Sequence, residues 1–305
     1  MRVLFLVLLA SAAFAQQTSV SYSTDLNGRR REEGVSTMSV NGNATTMTNL
    51  TRTVDGRLVP WESVEERVVS DDANGRVVER IVRRYSQDGR PSPPEKQQVQ
   101  EVKNADGTVS STTTTYQGDL NGSYRVAARV ISEESKSGST KNTVTTVERP
   151  TVNGSFEVVE KRQRTADDNT AQETVLRPDP QGHLRESARS TTESREANGE
   201  RTENTANYEV GYDGKLVLHS QSVARIRKNA DGSETKEVDL YRRLPGRADP
   251  SATPALEERQ VIEQNRSGNQ LTETVYVQRP SINDPKRLGA ATKLQERTCT
   301  GENCK

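Results

Sequence analysis

The turn that organises this chain is Lys228-Asn229-Ala230-Asp231-Gly232-Ser233, because close copies of it recur at a nearly fixed interval. Asn-Gly and Asp-Gly pairs favour two-residue hairpin turns of type I′, since both central residues of that turn need positive φ. Each copy therefore predicts a tight reversal between two strands. The copies are Asp72-Ala73-Asn74-Gly75, Asn104-Ala105-Asp106-Gly107 and Glu196-Ala197-Asn198-Gly199, with weaker versions at Asn41-Gly42, Ser137-Gly138, Asp168-Asn169 and Ser267-Gly268.

A second family of turns lies between these copies, so that one repeat is two turns and two strands in about 32 residues. Its members are Asn27-Gly28, Asp55-Gly56, Asp88-Gly89, Asn121-Gly122, Asn153-Gly154, Gln181-Gly182 and Asp213-Gly214. An aromatic residue marks the start of several units. The marker positions are Tyr22, Tyr85, Tyr116, Tyr208 and Tyr241, with Glu148, Leu176 and Val277 in the same register. Self-similarity at this period is typical of a repeat array.

The residues between the turns favour strands over helices. Val dominates the aliphatic residues and Thr is abundant, and both have high strand propensity. Leu, Ile, Val and Phe make up only about 17% of the chain after residue 15, which is too few for a thick sandwich core. The sequence therefore predicts an all-β fold: an extended antiparallel β-meander of repeated hairpins, in a single-layer twisted sheet of about sixteen strands.

Two families share parts of this pattern. In composition and turn spacing, the chain resembles the free-standing single-layer sheet of spirochaete outer-surface lipoproteins. The segments Tyr85-Ser86-Gln87-Asp88-Gly89-Arg90 and Tyr212-Asp213-Gly214-Lys215 are similar to the YD repeats of secreted bacterial polymorphic toxins. Most units lack the further tyrosines and glycines of that motif, so no function is carried over from it.

An outer-membrane β-barrel is the other all-β fold that suits a turn-rich exported chain of this strand number. Such a barrel needs an apolar band that faces lipid and aromatic girdles at both interfaces. The chain has a single tryptophan, Trp61, and three phenylalanines, with charged residues at both alternations of its strands. The sequence therefore disfavours a barrel.

The amino terminus has the three parts of a secretory signal peptide. Met1-Arg2 is followed by the apolar run Val3 to Ala10 and by the cleavage motif Ala13-Phe14-Ala15. We expect residues 1–15 to be a signal peptide cleaved after Ala15, and the mature protein to be secreted or periplasmic, without a membrane span. The array is then predicted over 16–276, with a Pro-rich insertion at 244–258, and a partial repeat with a Cys-containing tail over 277–305.

Charge and motifs exclude several function classes. The formal net charge is +0, and nucleic acid or an anionic membrane would require a basic surface, so no nucleic-acid partner is predicted. The two histidines, His183 and His219, have no clustered ligands around them, and we predict no metal site, cofactor or catalytic residue. Paired carboxylates leave open a secreted carbohydrate-active hydrolase. These pairs are Glu65-Glu66, Asp71-Asp72, Glu133-Glu134, Asp167-Asp168 and Glu257-Glu258.

The only two cysteines, Cys299 and Cys304, are predicted to form a disulfide, as expected for an exported chain. A bond across so short a loop would mainly hold the tail in place.

The functional expectation is a non-enzymatic exported repeat protein. Similar hairpins add length and a uniform charged surface rather than a pocket, which favours a structural, scaffold or adhesive role. Its partner would be a protein or polysaccharide of the envelope or exterior. The alternatives are the hydrolase that uses paired carboxylates and a largely disordered exported protein.

Overall fold

The fold is all-β in the computed structural model, which describes residues 16–24, 30–53, 55–86, 88–105, 107–119, 123–211, 213–229, 233–243, 254–268, 270–281, 284 and 287–300. In these ranges no helix is long and apolar enough to cross a membrane. The strands are β1 (Gln16–Thr24), β2 (Arg30–Asn41), β3 (Ala44–Arg52), β4 (Leu58–Asp72), β5 (Gly75–Arg84), β6 (Glu95–Lys103), β7 (Val109–Gly118), β8 (Tyr124–Ser137), β9 (Thr140–Pro150), β10 (Phe156–Ala166), β11 (Thr170–Pro178), β12 (Leu184–Ala197), β13 (Glu200–Val210), β14 (Leu216–Lys228), β15 (Glu234–Arg242), β16 (Ala255–Ser267), β17 (Gln270–Gln278) and β18 (Thr292–Thr300).

The strands form one closed sheet. Each strand pairs antiparallel with its neighbours in sequence, and β1 also pairs with β18, from Gln16 opposite Thr300 to Ser21 opposite Gln295. The predicted antiparallel meander of hairpins is confirmed. The prediction of an open single-layer sheet of about sixteen strands is wrong, because the sheet closes into an 18-stranded barrel. Closure gives hydrogen-bond partners to the backbone groups that an open sheet would leave exposed at its two edges.

The first turn family lies at one end of the barrel, because each of its turns leads from an even-numbered to an odd-numbered strand. The reversals are confirmed, but their geometry varies. Two of them are wider than the predicted two-residue turn, because Asn104 and Asn229 donate backbone N–H groups to the carbonyl oxygens of Thr108 and Ser233 over 2.9 and 2.8 Å. Asn198 and Gly199 both have positive φ, as a type I′ turn requires. Gly42 and Gly138 have positive φ at the first central position only, which is the type II′ pattern. Residues 230–232 of the organising turn lie outside the described ranges.

The second family lies at the opposite end and uses a wider loop. Thr53, Ser86, Thr151, Asp179 and Gly211 each donate a backbone N–H to the carbonyl oxygen four residues later, over 2.8–2.9 Å. The glycine inside each loop has positive φ, as in three-residue hairpin loops that end in a left-handed residue. All of these hairpins follow from local sequence.

The register divides the strand residues into two faces. Directly opposite partners share a face and successive residues alternate, and the division stays consistent around all 18 strands back to β1. In the part of the chain that the structure describes, the four buried aliphatic residues belong to one face: Val78, Val82, Ala224 and Val277. Side chains converge on the concave side of a closed sheet, so we assign this set to the inner face. Most other inward side chains keep partial exposure, as around a water-accessible lumen, which barrels of this strand number can enclose.

A β-bulge recurs around the barrel, near the end at which the second turn family lies. In eight pairings of an odd strand with the next even strand, the register shifts because the even strand carries one extra residue. We call these residues the bulge ring; bulges increase local twist and bend a strand, which assists closure. The ring consists of Glu33, Trp61, Ala127, Val159, Ser187, His219, Glu257 and Leu294.

Most of the predicted aromatic register marks this ring, but Tyr85 does not, because β5 pairs with β6 without a register shift and Tyr85 forms an isolated bridge with Pro91. Tyr22, Tyr116, Tyr208 and Tyr241 each lie at the register shift on their odd strand, as do Glu148 and Leu176. The assignment of Val277 to this register is wrong, because Tyr276 occupies the position. Leu50 lies at the register shift of β3, so it belongs to the same series although it is not aromatic.

Several domain predictions stay untested. Residues 1–15, the predicted signal peptide, lie outside the described ranges, as do residues 244–253 of the Pro-rich insertion. Strand β16 begins at Ala255, within that predicted insertion.

Candidate functional site: a polar cavity at the bulge ring

A cavity of about 420 Å³ lies where β1 to β4 meet β18. Most of its lining belongs to the inner face, and one side is formed by two members of the bulge ring, Glu33 and Trp61. Its volume falls within the range of small-molecule sites, about 300–1,000 Å³. The inner-face side chains that line it are Ser19, Ser21, Ser36, Asn49, Thr51 and Gln295.

Hydrogen bonds orient two amide side chains in the cavity wall. Ser36 Oγ donates to Asn49 Oδ1 over 2.5 Å, and Asn49 Nδ2 donates to Glu62 Oε1 over 3.1 Å. Gln295 Nε2 donates to Ser19 Oγ over 2.7 Å, across the seam where the barrel closes. A primary amide can make up to four hydrogen bonds, so both groups keep capacity for a ligand while their orientation is held.

Small residues keep the cavity open. Gly34 lies opposite Ser21 and Thr51 on the neighbouring strands, and Ser21 Oγ donates to the Gly34 carbonyl oxygen over 3.3 Å. A Cβ at Gly34 would stand 3.0 Å from both Ser21 Oγ and the Leu50 carbonyl oxygen, which is closer than ordinary packing allows. The backbone therefore approaches its neighbours closely here, and no side chain fills the space.

Trp61 is the chain's only tryptophan and is 44% exposed. As the extra residue of the β4 bulge, it stands outside the regular alternation of the strand, and bulges beside sites often re-aim a side chain in this way. Its backbone carbonyl accepts the Tyr85 N–H over 2.9 Å, which anchors the bulge to β5. On sequence alone, Trp61 counted only as a lone tryptophan that cannot form the aromatic girdles of a lipid-facing barrel.

The strongest ionic cluster lies on the outer face. Arg259 holds Asp239 through two hydrogen bonds, Nε to Oδ1 over 2.6 Å and Nη2 to Oδ2 over 3.0 Å. Arg225 donates to Asp239 over 3.2 Å and to Glu237 over 2.8 Å. Asp239 is only 2% exposed. Burial acts to raise the pKa of Asp239, but the bonds and charges of Arg259 and Arg225 outweigh it, so the pKa lies below its usual value.

Two of the predicted carboxylate pairs are split between the two faces of the sheet. Glu65 points outward to Arg83 at 2.7 Å, whereas Glu66 points inward to Arg80 at 2.6 Å, because consecutive strand residues face opposite sides. Glu133 and Glu134 are separated in the same way. A glycosidase acid needs a raised pKa. The carboxyl groups with a displaced pKa are all displaced downward: Asp55, Asp88, Glu160, Asp167, Asp179 and Asp239.

The two histidines lie in different elements of the barrel. His183 Nδ1 lies 3.8 Å from Asp179 in a turn, and His219, in the bulge ring, lies 3.7 Å from Glu209. Among the residues that the structure describes, no group of three or more His, Cys, Asp and Glu could hold a metal ion. Cys299 lies in β18, and Cys304 lies outside the described ranges, so the disulfide between them stays a prediction.

Comparisons with known proteins identify no family. No family model matches the chain, and no curated protein matches it. Among solved structures, it is similar to in-vitro folded OmpT, an outer membrane protein of Vibrio cholerae in its trimer form, with 8% identity over 94% of this chain and 96% of that chain and a TM-score of 0.24. A porin-like protein from Bacteroides uniformis aligns over 94% of this chain and 95% of that chain, with 10% identity and a TM-score of 0.14. Likeness at these TM-scores carries no argument about this chain.

Proposed function

We propose that this protein is a non-enzymatic exported β-barrel that works in water as a structural or binding body in the envelope or outside the cell. The observation that carries the proposal is the ionic outer face. Asp239, Glu237, Arg225 and Arg259 form one connected cluster there. A charged residue at the lipid face of a barrel costs about 2–4 kcal/mol at the bilayer midplane, so water is the solvent that suits this face.

Other outward pairs extend the same argument around the barrel. Arg129 pairs with Glu148 at 2.6 Å and also stands 4.1 Å from the centre of the Phe156 ring. Elsewhere on the outer face, Lys96 on β6 pairs with Glu79 on β5 at 2.9 Å. Cross-strand pairs of opposite charge stabilise a sheet that lacks a thick core, each by roughly 0.2–1 kcal/mol. Such a barrel offers a large, rigid polar surface to a protein or polysaccharide partner.

Fractionation of cells that express the full chain tests the proposal. We expect a mature protein that begins at Gln16, is found in the periplasm or medium, and stays monodisperse without detergent. The matched control is Ala15→Asp, which blocks the cleavage motif and should hold the protein at the membrane through its uncleaved signal. Recovery of the cleaved protein only from detergent-extracted outer membrane would replace the proposal with a membrane barrel.

An assay for released reducing ends tests the non-enzymatic part. The purified protein is incubated with a panel of polysaccharides, and no product is expected. Hydrolysis that is lost in Glu66→Gln but kept in Glu65→Gln would restore the hydrolase alternative, since these neighbours differ mainly in the face they occupy.

A further inference from the structure

The cavity at the bulge ring has the composition of a site for a neutral polar ligand. Its lining contains hydroxyl and amide side chains, one exposed aromatic ring, two aliphatic residues, Val35 and Leu50, and a single charged residue, Glu33. A cation that could bind an anionic group is missing from this lining, and Glu33 would repel such a group. A purely apolar ligand would displace water from the remaining donor and acceptor positions of the Asn49 and Gln295 amides without replacing its hydrogen bonds.

Trp61 supplies the apolar part of recognition. An indole left 44% exposed in water gains free energy when a ligand covers its face. The backbone that carries the ring is held by the hydrogen bond from the Tyr85 N–H, so little backbone ordering is required when a ligand binds. Saccharides match this chemistry, because a pyranose ring offers C–H groups on its faces and hydroxyl groups around its rim.

Asn49 and Gln295 supply the polar part. Both amides are oriented by bonds to Ser36 and Ser19, and each can still donate or accept toward the cavity. Gln295 comes from β18 and Asn49 from β3, so the lining is complete only when the barrel is closed.

We propose that this cavity binds a neutral saccharide, with Trp61 stacking on the sugar ring and Asn49 and Gln295 bonding its hydroxyl groups. The proposal deepens the function proposed above and rests on it, since it names the ligand class of a non-enzymatic exported binding body. The site should bind acidic saccharides poorly, because Glu33 repels their carboxylate groups.

Fluorescence titration tests the site directly, because Trp61 is the only tryptophan of the chain. The probes are neutral di- to tetrasaccharides built from glucose, galactose and N-acetylglucosamine, with galacturonic acid oligomers as the anionic comparison. We expect a saturable change in emission with at least one neutral series and none with the acidic oligomers. An absence of saturable change with every neutral series, or equal binding of the acidic oligomers, would overturn the proposal.

Single substitutions test which residues bind the saccharide. Binding is measured by calorimetry, because Trp61→Ala removes the fluorescent probe. Gln295→Ala should weaken binding about 3- to 10-fold, the effect of one hydrogen bond, and Trp61→Ala about 30-fold or more. The matched control is Leu294→Ala, the exposed neighbour on β18 that does not line the cavity, which should bind normally. Unchanged binding by Trp61→Ala would overturn the assignment, with far-ultraviolet circular dichroism confirming that each variant is folded.

The two proposals fail in distinguishable ways. A soluble, exported, inactive protein that binds no neutral saccharide removes only the cavity assignment. A protein that binds the saccharide and also cleaves it, as shown by new reducing ends, removes the non-enzymatic function while the site stands.

Discussion

At the scale of single residues, charge pairing takes the place of an apolar core. Asp239 is almost fully buried on the outer face of a sheet, which an isolated carboxylate could not tolerate. The planar guanidinium of Arg259 donates two parallel hydrogen bonds to the Asp239 carboxylate, and Arg225 donates a third. The neighbouring Glu237 balances the second arginine.

Replacing Asp239 with Asn should destabilise the barrel by roughly 2 kcal/mol, because the buried acceptor of three arginine hydrogen bonds loses its charge, while Glu237 still pairs with Arg225 and Arg259. Urea unfolding measures the change. The matched control is Asp71→Asn, since the Asp71 side chain is 52% exposed and lies 3.7 Å from Arg76, so a loss of at most about 1 kcal/mol is expected. Equal effects of the two substitutions would contradict the burial argument.

The same carboxylate predicts a pH dependence. The pKa of Asp239 is lowered in the folded protein, so its contribution to stability is present above the unfolded pKa and is lost as the pH falls through the folded value. The difference in unfolding midpoint between the native protein and Asp239→Asn should therefore shrink below about pH 4. A difference that stays constant from pH 7 to pH 3 would contradict this assignment.

At the scale of elements, the hairpin turns set the repeat. Asn198 and Gly199 connect β12 and β13 with positive φ of 54° and 73°. No atom lies within 4 Å of a Cβ built on Gly199, so the need for glycine comes from backbone conformation and not from space. At Gly75 the reason is the reverse, because a Cβ there would stand 2.0 Å from the Glu101 carbonyl oxygen.

Gly199→Ala should cost about 1 kcal/mol, the penalty for a left-handed conformation in an L-residue with a side chain. Gly289→Ala is the control, since its φ is not in that region and its new Cβ would stand 3.4 Å from the Arg279 carbonyl oxygen. The free energies of unfolding from urea titration decide the comparison. Similar losses at both positions would show that the turn geometry is not the cause.

At the scale of the whole molecule, closure is the property that distinguishes this barrel from an open meander. Ser19 on β1 lies directly opposite Arg297 on β18. In an open sheet of 18 strands spaced about 4.8 Å apart, the same two strands would be roughly 80 Å from each other. The cavity also depends on closure, because Gln295 reaches it from β18.

Ser19→Cys with Arg297→Cys should form a disulfide in air-equilibrated buffer, with dissolved oxygen as the oxidant, in a background that carries Cys299→Ser and Cys304→Ser. Directly opposite residues of an antiparallel pair bring their Cβ atoms to about 4.5–5.5 Å, from which a small adjustment allows the bond. Mobility on a non-reducing gel detects the link. The control pair, Ser19→Cys with Thr292→Cys, is displaced along β18 by five residues, or about 17 Å, and should stay unlinked. If neither pair forms the bond, the strands are not neighbours and the barrel is open.

The sequence by itself determined the local structure. Turn residues such as Asn198-Gly199 restrict backbone angles within a few residues, and the strand propensities of Val and Thr act over similar distances. These local signals predicted the all-β meander, the hairpins and most of the aromatic register that later proved to mark the bulge ring. The shift from Val277 to Tyr276 shows the limit of this reasoning, because the extra residue in a bulge moves the register by one position.

Only the tertiary structure decided closure, the two faces and the cavity. The missing apolar band disfavoured a barrel at the level of sequence. Such a band reports contact with lipid, whereas closure depends on accumulated twist and on the pairing of β1 with β18. Ser19 and Gln295 are 276 residues apart in sequence, so no local pattern places one beside the other. Trp61 became a site residue for the same reason, since its cavity exists only where the first strands meet the last.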